Sequence, residues 1–179
     1  ALIWLISMKN GILEEKTMNK PKIALTIAGT DPTGGAGVMA DLKSFHSCGV
    51  YGMAAITSIV AQNTLGVQSI HNLETSWVQE QLDSVFDDEL PHAIKTGMIA
   101  TKETMELIQS YLKKYSDIPY VIDPVMLAKS GDSLMDDDTK SHLQTTLLPL
   151  ADVVTPNIPE AEEITGLKID SEDNIRKAG

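Results

Sequence analysis

The sequence predicts an α/β fold with a mainly parallel β-sheet and helices on both of its faces. Short apolar segments that have the length of buried strands alternate with segments of helical periodicity. Such alternation is typical of parallel strands joined by right-handed helical crossovers. A chain of 179 residues with 42% hydrophobic residues can form one domain with a substantial core.

The first strand, loop and helix form the segment around which the rest of the chain is organised. Residues 23–28 (IALTIA) are an apolar run, residues 29–35 (GTDPTGG) are rich in turn formers, and a helical pattern begins at Ala36 and ends near Gly49, its expected C-cap. The glycines let a ligand approach the backbone, and a helix N-terminus favours anionic or electron-rich groups. The loop matches neither G-x-x-x-x-G-K-[ST] nor G-x-G-x-x-G. It therefore predicts either a binding loop of another kind or a tight strand-to-helix turn.

Four further strands and five further helices follow from the same periodicities, and residues 64–72 are interpreted as a connection. The strands are expected at 50–60, 93–98, 120–122 and 151–155, and the helices at 76–88, after Thr101, at 138–148, at 158–165 and after Ser171. In open α/β sheets the ligand binds beyond the carboxyl ends of the strands. The residues expected at that edge are 29–37, 62–63, 97–98, 123–125 and 155–160.

The two ends of the chain are predicted to differ in their relation to the fold. Residues 1–17 are expected to be a leader outside the core, because Met18 stands just before the first strand and the apolar run at 1–7 is too short to span a bilayer. Residues 18–179 are expected to form the N-terminal part of a single domain. The last residues fall inside the helix that begins after Ser171, so the sequence is interpreted as a fragment.

Charge and cysteine content argue against several classes of protein. A net charge of −11 disfavours nucleic-acid and membrane-surface binding, since both require clustered Lys and Arg. The single cysteine, Cys48, cannot form an intramolecular disulfide and fits a reducing, cytoplasmic compartment. Because Cys48 follows an apolar helix face, we interpret it as a core residue.

Two kinds of polar group are expected at the carboxyl edge of the sheet. Asp123, Asn157 and Glu160 are oxygen donors of the type that Mg²⁺ prefers, and one or two carboxylates suffice when phosphate oxygens complete the coordination. The alternatives are a turn residue before proline for Asp123 and a favourable first-turn helix charge for Glu160. Lys129 lies in a polar loop and is expected either to contact phosphates or to be solvated.

The second kind of group would recognise a neutral heterocycle. The amide of Gln62 offers one acceptor and two donors, so it can pair with a heterocycle edge, or else it is a solvated strand end. Met98 and Val125 would form apolar walls, or else belong to the core.

The motifs in combination resemble the hydroxymethylpyrimidine/phosphomethylpyrimidine kinases of thiamine biosynthesis, which belong to the ribokinase-like superfamily. The resemblance extends from about residue 20 to residue 179. The motifs that carry it are LTIAGTDP (25–32), GGAG (34–37), ADLK (40–43), VAQN (60–63), KTGM (95–98), DPVM (123–126), TPN (155–157) and PEA (159–161).

This resemblance implies a three-layer α/β/α sandwich and transfer of the ATP γ-phosphoryl group, with Mg²⁺, to an aminopyrimidine alcohol and then to its monophosphate. It implies that Gln62 contacts the aminopyrimidine edge, and that Asp123 and Glu160 organise the metal while Asn157 and Glu160 face the ATP phosphates. A homodimer is implied for the full-length enzyme. The residues implied to line the substrate pocket are Gly29, Asp31, Ala36, Gly37, Val60, Met98 and Val125.

One departure from the family pattern bears on activity. The family carries a Gly-Thr-Gly-Cys oxyanion loop and its catalytic base in a C-terminal part, and no Gly-Thr-Gly-Cys occurs in these 179 residues. We therefore expect the chain alone to be inactive. The alternatives are a pyridoxal kinase, which shares much of this scaffold, and a truncated product that binds the pyrimidine without turnover.

Overall fold

The computed structural model describes residues 20–126 and 135–179. The strands are β1 (Ile23–Ala28), β2 (Tyr51–Ile56), β3 (Ser58–Asn63), β4 (Gly66–Asn72), β5 (Ala93–Thr96), β6 (Tyr120–Ile122) and β7 (Val153–Val154). The helices are α1 (Gly37–Ser47), α2 (Thr75–Phe86), α3 (Lys102–Lys114), α4 (Asp137–Thr146), a 3₁₀ turn (Leu148–Leu150), α5 (Ile158–Thr165) and α6 (Glu172–Ala178).

Five strands form a parallel sheet in the order β2–β1–β5–β6–β7, and β3 and β4 form a separate antiparallel hairpin. All six residues of β1 are buried, as expected for a central strand with helices on both faces. The side chains of Leu25 and Ile27 join the hydrophobic core with residues of α2, α3 and α4. Thr26 points the other way and contacts Asp41 of α1. The three-layer α/β/α arrangement predicted from the sequence is therefore confirmed.

The prediction of one strand over residues 50–60 is wrong, because the chain leaves the sheet at Thr57. The Thr57 N–H donates to the Ala28 carbonyl (3.0 Å), its hydroxyl donates to the Met98 carbonyl (2.8 Å), and its carbonyl accepts from Leu73 N–H (3.0 Å). These bonds fix Thr57 at the carboxyl end of β1. The residues after it form β3, and the stretch interpreted as a connection forms β4.

Cys48 is exposed, so its assignment to the core is also wrong. Helix α1 ends at Ser47, and Gly49 adopts a left-handed conformation (φ +72°) that turns the chain toward β2. Cys48 therefore does not continue the buried face of the helix, to which Val38 belongs.

The other helix ends agree closely with the capping signals in the sequence. The Thr101 hydroxyl accepts from Thr104 N–H at the start of α3, and Gly166 ends α5 with φ +67°. The helix predicted at 138–148 ends earlier, at Thr146, because the chain continues as a 3₁₀ turn that contains Pro149. Among the described residues, no helix is long and apolar enough to cross a membrane.

The buried hydrogen bond between the Thr96 and Tyr120 hydroxyls (2.7 Å) joins β5 to β6 and provides a test of the core. The Tyr120→Phe variant leaves the Thr96 hydroxyl without this partner, so the free energy of unfolding should fall by about 1–2 kcal/mol. Chemical denaturation followed by circular dichroism measures the change. Tyr51→Phe alters an exposed tyrosine and is the matched control, expected within about 0.5 kcal/mol of the unmodified chain. Equal losses in both variants would contradict the assignment.

Candidate active site

A cavity of about 730 Å³ opens at the carboxyl ends of β1, β5 and β6, and the β3–β4 hairpin forms one of its walls. It brings together every predicted site residue that the structure describes, from five separate parts of the chain. Gln62 reaches it from the hairpin and not from the edge of the parallel sheet. Lys129 lies outside the described residues. The predicted residues that line the cavity are Gly29, Asp31, Ala36, Gly37, Val60, Gln62, Met98, Asp123, Val125, Asn157 and Glu160.

The glycine loop closes tightly between β1 and α1. A Cβ atom at Gly37 would lie 2.3 Å from the Gly29 carbonyl oxygen, and Gly37 has φ +56°, so only glycine fits there. The Val38 N–H donates to the same carbonyl at 3.0 Å. No side chain caps the N-terminus of α1, whose N-cap residue is Ala36. Apart from the Val38 N–H, the first turn of α1 therefore presents backbone N–H groups without a side-chain cap beside the cavity.

The Asp31 carboxylate organises this loop. It accepts hydrogen bonds from the N–H (2.9 Å) and the hydroxyl (2.8 Å) of Thr33 and from the Gly35 N–H (3.1 Å). Burial alone would raise the pKa of Asp31, but these bonds and a side-chain hydrogen bond from Gln62 outweigh it and lower the pKa to about 2. Asp31 is therefore ionised at neutral pH.

Apolar side chains pack against the loop at the end of β1. A Cβ atom at Gly29 would lie 2.8 Å from the Met98 Cε atom and 3.6 Å from the Val60 Cγ2 atom. Val60 is buried, and Met98 and Val125 are half-buried. These side chains give one part of the cavity an apolar surface, of the kind that packs on a flat ring.

A charged cluster lies in another part of the cavity. Lys95 Nζ is 2.9 Å from both carboxylate oxygens of Asp41 and 3.6 Å from Asp123 Oδ2. The Thr26 hydroxyl donates to Asp41 Oδ2 at 2.6 Å. Burial raises the pKa of Asp123, Lys95 opposes this increase, and Asp41 adds to it.

Lys95 and Asp41 were not predicted as site residues from the sequence, although both lie within the motifs that carry the resemblance. A lysine inside the short apolar strand Ala93–Thr96 is a signal in itself, because a charge on a buried strand requires a partner.

Glu160 and Asn157 form a capping box at the start of α5. Glu160 Oε2 accepts from Asn157 N–H (3.0 Å), and Asn157 Oδ1 accepts from Glu160 N–H (2.9 Å). Glu160 Oε1 also accepts from Met126 N–H at 3.3 Å. Both oxygens of this buried carboxylate therefore already accept backbone N–H groups. Glu160 therefore has the local role at the start of a helix that was given as its alternative, and it also lines the cavity.

The donor set determines what kind of metal site these residues could form. Within residues 20–126 and 135–179, no group of three or more His, Cys, Asp or Glu side chains is arranged to hold a metal ion. The Asp123 carboxylate is 36% exposed toward the cavity, whereas Glu160 is buried and hydrogen-bonded. This arrangement fits a Mg²⁺ ion that takes most of its ligands from water and from phosphate oxygens.

Comparisons with known proteins agree with this geometry. The family model described as phosphomethylpyrimidine kinase matches residues 31–179. The hydroxymethylpyrimidine/phosphomethylpyrimidine kinase of Staphylococcus aureus (strain Mu50) is 81% identical over 162 residues, which cover 90% of this chain and 59% of the relative. The corresponding enzyme of Bacillus subtilis (strain 168) is 44% identical over 155 residues, or 87% of this chain and 57% of the relative. The chain thus spans less than two thirds of the length of these relatives.

Solved structures give the same result. The crystal structure of phosphomethylpyrimidine kinase from Clostridium difficile 630 superposes with a TM-score of 0.82 at 47% identity, covering 88% of this chain and 68% of that one. The pyridoxal kinase of Staphylococcus aureus in complex with pyridoxal superposes with a TM-score of 0.79 at 35% identity, and the match covers 89% of this chain and 60% of that one. The fold is thus the ribokinase-like fold of these vitamin kinases, and the chain belongs to the phosphomethylpyrimidine kinase family.

Proposed function

We propose that this chain supplies the substrate pocket and the phosphate-facing carboxylate of an ATP-dependent kinase. The substrates are 4-amino-5-hydroxymethyl-2-methylpyrimidine and its monophosphate, on the route to thiamine diphosphate. The proposal rests on one observation: an apolar surface beside the Gln62 amide adjoins the charged cluster around Asp123 within the same cavity. Such a division suits a substrate with a neutral ring at one end and a phosphoryl acceptor at the other.

In this proposal the pyrimidine ring lies against Val60, Met98 and Val125. The Gln62 amide pairs with the aminopyrimidine edge, and Gly29 lets the ring approach the backbone. The loop from Asp31 to Gly37 closes the pocket. The shape and polarity of the cavity support this placement, since binding sites are mostly apolar with a few placed polar groups.

The phosphates are assigned to the opposite part of the cavity. Mg²⁺ would neutralise charge on the phosphate oxygens. Asp123 would hold the ion directly, and Glu160 would reach it through water because both of its oxygens already accept backbone N–H groups. Asn157 and Lys129 are assigned to the ATP phosphates. Lys95 pairs with Asp41 and lies near Asp123, so its positive charge offsets part of the negative charge there.

Domain organisation and turnover belong to the same proposal. We assign residues 18–179 to the N-terminal part of a single kinase domain that is a homodimer at full length, and residues 1–17, which lie outside the described residues, to a leader segment. Because the sequence contains no Gly-Thr-Gly-Cys segment, this chain is proposed to bind substrate without transferring phosphoryl groups efficiently.

A second candidate is a pyridoxal kinase, which the likeness to the Staphylococcus aureus pyridoxal kinase favours at 35% identity. The aminopyrimidine is preferred because the kinases named for it reach 81% identity in sequence and 47% among the solved structures.

The Gln62→Ala variant tests pyrimidine binding. Loss of the amide removes the group that pairs with the heterocycle edge, so the affinity for the aminopyrimidine should fall about tenfold or more, as measured by titration calorimetry without ATP. Gln79→Ala, which alters an exposed glutamine on α2 outside the cavity lining, is the matched control and should leave the affinity unchanged. Tighter binding of pyridoxal than of the pyrimidine would favour the second candidate.

Phosphoryl transfer by the chain alone is expected to be at least about a thousandfold slower than that of a full-length relative, since preorganised donors to the developing charge are a large part of catalysis. A coupled assay of ADP formation with pyrimidine, ATP and Mg²⁺ measures the rate, with the full-length Staphylococcus aureus enzyme as the positive control. A rate comparable to that enzyme would refute the expectation.

A further inference from the structure

Lys95 lies on the face of the parallel sheet that α1 covers. Ile94 joins the hydrophobic core, so Lys95, the next residue of β5, points to the other face. In the register of β1 against β5, Lys95 is opposite Thr26. The Asp41 carboxylate of α1 reaches both side chains: it accepts from the Thr26 hydroxyl at 2.6 Å and from Lys95 Nζ at 2.9 Å through each oxygen. These bonds fix the position of the ammonium group.

The fixed ammonium group lies beside Asp123 but does not pair closely with it. A Cβ atom at Gly97 would lie 3.6 Å from Lys95 Nζ, which places the ammonium group at the carboxyl end of β5. The Asp123 N–H donates to the Thr96 carbonyl at 2.9 Å and so holds Asp123 at the same edge. Lys95 Nζ is 2.9 Å from Asp41 Oδ1 and 3.6 Å from Asp123 Oδ2. The Asp123 carboxylate therefore stays accessible from the cavity.

The charges that line the cavity act on a cation in opposite directions. Among the described residues of the lining, Lys95 is the one Lys or Arg side chain. A fixed ammonium group repels a divalent cation, and the repulsion is strongest for an ion at Asp123, the nearby carboxylate that faces the cavity. Carboxylates attract such an ion. The carboxylates of the lining are Asp31, Asp41, Asp123 and Glu160.

We propose that Lys95, held in place by Asp41, weakens the binding of a free divalent cation at Asp123. The proposal rests on the proposed function for the assignment of Mg²⁺ to Asp123. The repulsion is smaller for an ion that arrives with phosphate groups, because their negative oxygens offset the ammonium group and complete the coordination. Asp41 limits the effect, because it keeps the ammonium group 3.6 Å from Asp123 and prevents a closer pair.

The experiment measures the binding of Mn²⁺, a paramagnetic substitute for Mg²⁺, to the chain without nucleotide, by electron paramagnetic resonance. Lys95→Met removes the ammonium group and keeps a long side chain, so it should tighten Mn²⁺ binding at least about tenfold. Lys95→Gln also removes the charge but keeps a donor for Asp41. It should give the same increase, and it serves as the second variant if methionine disturbs the fold.

Lys20→Met is the matched control for the loss of one positive charge. Lys20 is also ion-paired, with Glu89 at 2.8 Å, but it precedes β1 and so lies at the opposite edge of the sheet from the cavity. The affinity for Mn²⁺ should stay within about twofold of the unmodified chain, because solvent and salt screen a distant surface charge.

Two further substitutions test the place of the ion and the role of Asp41. Asp123→Asn, combined with Lys95→Met, should abolish the increase, because the ion loses its carboxylate. Asp41→Asn releases the ammonium group toward Asp123, so Lys95→Met should raise the affinity more in the Asp41→Asn background than in the unmodified chain. Thermal unfolding followed by circular dichroism establishes that each variant is folded before affinities are compared.

Each result supports or overturns the inference separately from the proposed function. Unchanged or weaker Mn²⁺ binding in folded Lys95→Met and Lys95→Gln would overturn it, and so would an increase that persists in Asp123→Asn. Equal increases with and without Asp41 would remove the part assigned to Asp41. Binding of the aminopyrimidine is measured by calorimetry without metal. If the pyrimidine binds and the Lys95 variants show no increase, the inference fails while the proposed function stands. The reverse pattern would retain the cation site and refute pyrimidine recognition.

Discussion

The close contact between Gly29 and Gly37 is the constraint on which the site depends. With no side chain at position 37, the carbonyl oxygen of Gly29 can approach the start of α1 and accept from Val38 N–H at 3.0 Å. The end of β1 and the beginning of α1 therefore lie side by side, and the five residues from Asp31 to Gly35 must close in a compact loop over them. That loop in turn gives β3 its partner in Thr30, which bonds to Ser58 and Val60.

The four carboxylates of the cavity lining differ in how well hydrogen bonds and the Lys95 ammonium group already satisfy them. Asp31 and Glu160 accept several short hydrogen bonds, and Asp41 holds Lys95 through both of its oxygens. Asp123 has the weakest contact of the four carboxylates, since Lys95 lies 3.6 Å away. It is also buried enough to raise its pKa. A bound cation would therefore stabilise the ionised form of Asp123 more than that of the other three carboxylates. Such a cation could arrive together with phosphate groups, which agrees with a kinase site.

Local signals in the sequence account for much of this architecture. The buried strand β1, the glycine loop and the capped helices follow from apolar period, turn residues and N-cap side chains, each of which acts within a few residues. The break at Thr57 could not be predicted in this way. Residues 50–60 are mostly apolar, and the chain leaves the sheet because Thr57 bonds to residues on β1 and beyond β5.

The same distinction between local sequence signals and long-range contacts applies to the site. Nine of the eleven predicted residues that the structure describes meet in one cavity because the ends of the parallel strands converge at one edge of the sheet, and Val60 and Gln62 join them from the hairpin. The Lys95–Asp41 pair joins residues 54 positions apart, and the bond from Val60 N–H to the Thr30 hydroxyl depends on how the hairpin folds back. Neither contact has a local signal that identifies its partner.

The measurement that tests this account most directly is a nuclear magnetic resonance titration of the isotope-labelled chain with the aminopyrimidine. Chemical-shift changes are expected to concentrate in the loop at residues 29–37, at Val60 and Met98, and in the side-chain NH₂ resonances of Gln62. Shifts that spread over the exposed surfaces of α2 and α3, with the Gln62 amide unmoved, would contradict it.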